Sequence, residues 1–189
     1  MLRFLVQFIL ISVFSLQQAS AVASETPGAD PSLAYWLDTS NQVNLEELEH
    51  QTFTPFKGLL HKGFSPDVLW VKLDTRAWLR GNPEDVLVVR VRPSFLDHIT
   101  LYLPQGAGQY IREESGDMTP WRGASYASLN LGFKVKRRLL KEFLYLRVQT
   151  TSTLMFSVEV MTELEAAQAD EAQNVWYALT LSMIAMFWC

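Results

Sequence analysis

Six stretches of the chain alternate apolar and polar side chains with a period of two, the pattern of β-strands that place one face on a core. They cover residues 68–74, 87–92, 98–103, 129–135, 143–149 and 154–161. Turn-forming residues, such as Gly81-Asn82-Pro83, separate them, and no long helical stretch lies between them. The pattern predicts an all-β fold, an antiparallel β-sandwich over residues 33–161 with jelly-roll or Greek-key wiring.

Two helices are predicted at the borders of this β-rich region. Asn44 precedes the segment NLEELEH and is a suitable N-cap for one short helical turn. Thr162 and Glu165 have the spacing of a capping box, a hydroxyl followed three residues later by a glutamate. We therefore expect a second helix to begin near Glu163 and to continue into the apolar tail.

The first 23 residues have the order of a secretory signal peptide. Arg3 precedes an apolar run from Phe4 to Leu16, and small residues at Ala21 and Ala23 complete two possible cleavage sites. The run has 13 residues (16−4+1), fewer than the roughly 20 that a membrane anchor needs. We predict export, with residues 24–32 forming a flexible polar leader after cleavage.

The last 15 residues, from Val175 to Cys189, carry no charge. This composition favours the start of a first transmembrane span within residues 162–189, cut short in a fragment or truncated gene. The alternative is a terminal helix packed on the core.

Net charge and cysteine content limit the cellular compartments and the classes of partner that fit this sequence. The formal net charge is −4, and the single cysteine, Cys189, allows no intrachain disulfide. An exported domain without disulfides suits the bacterial periplasm, attached to the inner membrane by the predicted span. The negative charge gives no reason to expect a nucleic-acid partner.

No residues show the spacing of a catalytic or metal site, so we predict that the chain is not an enzyme and uses no cofactor. The three histidines lack metal-ligand spacing. Asp97 and His98 are neighbours on a predicted strand and should point to opposite faces. Glu113 and Glu114 are interpreted as solvated carboxylates of a loop.

A binding face can be assembled from the strand positions opposite the predicted core. It carries Arg90, Arg92, Tyr102 and Arg147, which we expect to share one face and to contact a ligand. His98, Thr100 and Gln149 fall on the same predicted side, and the loop aromatics Trp78, Trp121 and Tyr126 could close over it. Trp121 is included among the ligand-binding candidates. The alternative is that these are ordinary solvent-side residues, or that the register is displaced by one position.

Several segments resemble a known family. They are Gly63-Phe64-Ser65 with VLWVKLD, then LVVRVRPSFLDHITLYLP, GDM, and FLYLRVQTTSTLMFSVEV. Together they resemble the periplasmic (extracellular) sensor domain of bacterial seven-transmembrane receptors with diverse intracellular signalling modules. The resemblance extends over roughly residues 33 to 189. It implies a jelly-roll domain similar to carbohydrate-binding modules, followed in full-length members by membrane helices and an intracellular module of cyclase or kinase type.

We therefore expect a periplasmic ligand-sensing domain that binds a small polar ligand, with carbohydrate as one candidate, and couples its binding to a transmembrane helix. Two alternatives stay open at this point. The sandwich could be a protein–protein interaction or dimerisation ectodomain without a small-molecule pocket, or a sugar-active hydrolase on a jelly-roll frame. A concave polar and aromatic groove would favour ligand binding over a flat interaction surface.

Overall fold

The computed structural model describes residues 32–106, 109–120, 126 and 128–188. The predicted signal peptide, the leader up to residue 31 and the candidate ligand residue Trp121 lie outside this part of the chain.

Two antiparallel sheets make up most of the described structure. The larger sheet contains β1 (Ser32–Asp38), β2 (Thr54–Phe56), β4 (Val68–Asp74), β6 (His98–Gly106), β7 (Gln109–Ser115) and β9 (Phe143–Gln149), in the order β2-β1-β4-β9-β6-β7. The smaller sheet contains β3 (Leu60–Phe64), β5 (Val86–Arg92), β8 (Leu131–Lys136) and β10 (Thr153–Thr162), in the order β3-β10-β5-β8. Most connections cross from one sheet to the other, as in a jelly roll. The predicted antiparallel sandwich is confirmed.

The core lies between the two sheets and is formed by the apolar positions of the alternating strands. Leu69, Val71 and Leu73 of β4 are fully buried, and Phe133 and Phe156 contribute the large rings of the smaller sheet. Each such side chain contributes about 1.5–3 kcal/mol on burial. The alternation therefore identified correctly which side of these strands faces inward.

Part of the outer face of the larger sheet is also buried. The short helix α1 (Leu45–Leu48) begins at Asn44, whose side chain accepts a hydrogen bond from Glu47 N at 3.0 Å, as the cap prediction requires. Leu48 packs with Trp70 and Tyr145 in a second apolar cluster on this outer face. Trp70 is 2% exposed, although it points away from the main core.

Trp78 occupies a different position from the one predicted. The segment after β4 forms helix α2 (Arg76–Gly81), and Trp78 is 4% exposed within the main core. The prediction that it is a loop aromatic available to a ligand is wrong, because one helical turn directs the ring inward.

The helix α3 (Glu163–Trp188) begins where the capping box predicts. Glu165 N donates to Thr162 Oγ1 at 3.2 Å, and Thr162 N donates to Glu165 Oε2 at 2.8 Å. Within the described residues no helix combines the length and the apolar character that crossing a bilayer requires. The predicted entry of α3 into a membrane stays a prediction.

Candidate ligand cleft and helix clamp

A cleft of about 410 Å³ lies on the outer face of the larger sheet, where β6, β7 and β9 meet. Its lining is mainly polar and includes His98, Thr100, Tyr102, Arg112, Glu114, Arg147 and Gln149. The volume falls within the range typical of small-molecule sites, about 300–1,000 Å³.

Strand register brings these side chains together. Thr100 of β6 pairs with Arg147 of β9 on one side and with Glu114 of β7 on the other. Tyr102 lies one step along the same face and pairs with Arg112. Because every second residue of a strand points to the same side, this row is directed outward while the neighbouring leucines and isoleucine enter the core.

The two guanidinium groups of the cleft differ in their partners. Arg112 Nη2 contacts Glu114 Oε1 at 2.5 Å, and this hydrogen bond raises the pKa of Arg112. Arg147 Nη1 donates to the neutral Gln149 Oε1 at 3.1 Å. Among the described residues no carboxylate forms an ion pair with Arg147. Of these two guanidinium groups, that of Arg147 is therefore the one that can donate to an acceptor group of a bound ligand.

The ring of Tyr102 forms one border of the cleft. The ring of Tyr102 lies 5.6 Å from that of Trp70, centroid to centroid and tilted by 36°. Trp70 pairs with Arg147 across the strands, and its buried Nε1 has no hydrogen-bond partner among the described residues. An unpaired buried donor is uncommon in folded proteins. The aromatic surface that the cleft offers is thus that of Tyr102, which packs against the buried Trp70.

The predicted common face for the four chosen residues is wrong. Tyr102 and Arg147 share the cleft, whereas Arg90 and Arg92 belong to β5 and lie on the outer face of the smaller sheet, on the other side of the sandwich. Alternation with a period of two assigns a residue to the inside or the outside of its strand, but it does not say which sheet the strand joins. Trp121 lies outside the described residues.

Two cleft residues, Arg112 and Glu114, were missed because β7 was not recognised as a strand. The segment 109–115 reads QYIREES and lies at the edge of the sheet, so it lacks a run of core-facing apolar residues. Glu113 and Glu114, interpreted as loop residues, are in this strand. The alternation of Tyr110, Arg112 and Glu114 was the available signal.

Arg90 has a structural position. It is 4% exposed, and its Nη2 lies 2.5 Å from Glu159 Oε2 while its Nη1 lies 3.3 Å from Asp170 Oδ1. Asp170 belongs to α3 and also accepts hydrogen bonds from Tyr126 and from Asn130 Nδ2, the latter at 3.1 Å. We call these five residues the helix clamp, because they join α3 to the outer face of the smaller sheet. With its donors engaged here, Arg90 is not available to a ligand.

The clamp holds Asp170 in its charged form. Burial by itself would raise the pKa of Asp170, but hydrogen bonds from Tyr126, Ser128 and Asn130, with the charge of Arg90, outweigh burial and lower the pKa below its ordinary value. Burial, followed by the bond to Asp170, raises the pKa of Tyr126. Charge-assisted bonds of this kind are about twice as strong as neutral ones.

Gly132 makes room for the clamp. A Cβ at this position would lie 2.7 Å from Val89 O and 2.8 Å from Tyr126 Cδ1. The Tyr126 ring therefore lies directly over the β8 backbone, where it packs with Val88 and Ala166. Tyr126, predicted as a loop aromatic near the ligand, instead belongs to the contact between sandwich and helix.

No group of three or more potential metal ligands occurs in the described part of the chain. Asp97 accepts hydrogen bonds from Thr151 N at 2.6 Å and Thr151 Oγ1 at 2.7 Å, while His98 lines the cleft. Asp97 is thus engaged with a turn, as expected for a structural residue.

Comparison with known proteins supplies the family. A search of curated proteins gave no match. The family model described as 7TMR-DISM extracellular 2 matches residues 30–162, which is well over half of the chain and contains the whole sandwich. Such domains are extracellular parts of membrane receptors that carry intracellular modules, which supports a periplasmic location and suggests a non-catalytic role. The chain belongs to this family, and its sandwich is the extracellular sensor domain of a membrane receptor.

Proposed function

We propose that the domain binds a small polar ligand in the cleft of the larger sheet and transmits its occupancy to α3. The observation that carries the proposal is the position of Arg147, which has no carboxylate partner among the described residues and lies beside the ring of Tyr102. A guanidinium fork supplies directional donors, and an aromatic face stacks on the apolar side of a sugar ring. A carbohydrate, neutral or acidic, satisfies both requirements.

The connection from cleft to helix is short in sequence. Gln149 lines the cleft, the turn at residues 150–152 follows it, and β10 then runs directly into Thr162 and α3. Glu159 of β10 also contacts Arg90 in the helix clamp. Movement of the β9–β10 turn on ligand binding would therefore reach α3 through one strand. In the full-length receptor we propose that α3 leads to membrane helices and an intracellular cyclase or kinase module.

Ligand binding can be tested by calorimetry on the full chain in a sugar-free detergent, with neutral hexoses and uronic acids as probes. Arg147→Ala should weaken binding of the recognised sugar by about 1–3 kcal/mol, the cost of losing a charged hydrogen bond, or roughly 5- to 150-fold. Arg92→Ala is the matched control, because this half-exposed arginine lies on the opposite sheet. Equal effects of both variants would contradict the assignment of the cleft. Absence of sugar binding together with a stable dimer would favour the interaction-module alternative.

Transmission can be tested separately by hydrogen exchange. The recognised sugar should change amide protection in residues 163–173 of the native chain. The Asp170→Asn variant should still bind the sugar, with an affinity that changes by no more than the coupling between cleft and helix, and should show a smaller change in the helix. Binding without any effect on α3 in the native chain would contradict transmission and leave the binding site intact.

A further inference from the structure

The direction of α3 identifies which end of the sandwich is nearest to its apolar half. Lys134 Nζ contacts Glu163 Oε1 at 2.5 Å at the start of the helix, and Asn130 Nδ2 contacts Gln173 Oε1 at 3.0 Å ten residues later. The helix therefore folds back at Thr162 and runs along the outer face of the smaller sheet, antiparallel to β10. Ten helical residues advance about 15 Å, which is close to the roughly 13 Å that the strand covers from residue 134 to residue 130.

Beyond Gln173 the helix leaves the sheet. Residues 174–188 span roughly 22 Å at the helical rise, and they carry no charge. Most of their described apolar side chains are exposed, with Leu181 at 66% and Met186 at 83%. The apolar half of α3 thus projects past the end of the sandwich that it has just reached.

Three turns form this end of the sandwich, which we call the turn end: residues 93–97, 116–119 and 150–152. They are joined by hydrogen bonds from Asp117 N to Leu96 O at 2.9 Å and from Met118 N to Asp97 O at 3.1 Å, and by the bonds of Thr151 to Asp97. Gly116 permits the contact, since a Cβ there would lie 2.2 Å from Asp97 O. The turns therefore form one connected surface.

Large apolar side chains are exposed on this surface. Met118 is 67% exposed and Phe95 42% exposed, and Phe64, at the end of β3 beside Thr153, is 82% exposed. The opposite end of the sandwich instead presents charged side chains, and we call it the basic end. The exposed residues there are Lys136, Arg138 and Lys141 together with the acidic Glu84, Asp85 and Glu142. Apolar residues grouped on a protein surface mark a contact site.

We propose that the turn end faces the membrane and that Phe64, Phe95 and Met118 contact the lipid surface there. The inference rests on the proposed entry of α3 into the membrane. The two features point the same way: the uncharged half of the helix and the apolar turns occupy the same end, and the basic end points away. Apolar side chains at the level of the lipid headgroups would fix the tilt of the sandwich on the membrane.

Site-directed spin labelling in vesicles of zwitterionic phosphatidylcholine tests this orientation. With Cys189→Ser as background, single cysteines are introduced by Leu181→Cys in the helix, Met118→Cys at the turn end and Arg138→Cys at the basic end. Each label is compared for its accessibility to oxygen and to a water-soluble nickel complex. We expect the labels at 181 and 118 to favour oxygen and the label at 138 to favour nickel.

The three positions separate the possible failures. If the label at 181 lies in lipid while the label at 118 is aqueous, the helix enters the membrane but the proposed orientation is wrong. If the label at 138 lies in lipid, the basic end faces the membrane and the inference is overturned. If all three labels are aqueous, both the membrane entry of α3 and the orientation are refuted.

A matched pair of serine substitutions measures the contribution of the turn end. Met118→Ser should lower vesicle partitioning of the full chain about two- to tenfold. Leu59→Ser, at a side chain of similar exposure (60%) away from the turn end, should leave it unchanged. Equal partitioning of the two variants would contradict a lipid contact at Met118.

Discussion

Neutralising Asp170 should weaken the docking of α3 on the sandwich without unfolding the sandwich. In Asp170→Asn the buried guanidinium of Arg90 loses one of its two carboxylate partners, and Tyr126 loses a charged acceptor. Hydrogen bonds to charged groups contribute about 1.5–3 kcal/mol each, but Asp170 is 21% exposed and the new amide still accepts one bond. We expect the free energy of helix docking to fall by about 2–3 kcal/mol.

Hydrogen exchange on the full chain in detergent micelles measures this loss segment by segment. A change of 2–3 kcal/mol corresponds to exchange about 30- to 150-fold faster in residues 163–173, with the core strands unaffected. Glu171→Gln is the matched control, because Glu171 is the next residue on the same helix and is exposed. If both variants exchange alike, or if the strands lose protection together with the helix, the clamp does not hold α3 as described.

Two further predictions concern other positions. Gly132→Ala should destabilise the fold by about 1–3 kcal/mol in urea unfolding, because the new Cβ would press on Val89 O and on the Tyr126 ring. Gly81→Ala is the control and should be nearly neutral, because the space around Gly81 is open. Equal unfolding midpoints of the two variants would refute the contact. The pKa of Asp97 is lowered by its hydrogen bonds from Thr151, most of all the bond from the backbone N–H and then the bond from the side chain. The charged Asp97 therefore stabilises the fold above its unfolded pKa of about 3.9, and this stabilisation is lost as the pH falls through the folded pKa. Asp97→Asn should therefore unfold at lower urea concentration at pH 7 and lose less stability between pH 7 and pH 3 than the native chain, and an unchanged acid response would contradict this role.

The sequence predicted best those strands that have one solvent-exposed face and one buried face. The alternation in 87–92 and 143–149 corresponds to β5 and β9, and its inward positions are the core positions. Strand β1 has no such signal, because α1 and its flanking residues cover its outer side and Trp36 packs there. Strand β7 was not predicted for the opposite reason, since the sequence of an edge strand with polar residues on both sides resembles that of a loop.

The candidate site could be predicted only in part for a related reason. Tyr102 and Arg147 were selected correctly as outward-facing residues and do meet in one cleft. Arg90 has the same alternation, yet it is buried by a helix some 80 residues later in the sequence. A local period carries no information about which distant segment will cover a face, so the clamp could not be read from the strands themselves.

The fold-back of α3 determines how the domain responds to mechanical force. A pull on the far end of the helix acts along the outer face of the smaller sheet and reaches Arg90, Asn130 and Asp170 before it reaches Thr162. β10, by contrast, is held by backbone hydrogen bonds on both sides, to β3 and to β5. A pull along α3 therefore loads the side-chain contacts of the clamp before it loads the backbone hydrogen bonds of β10. We expect the clamp to yield before the strands do, so that the helix is released and redocked without the loss of a strand.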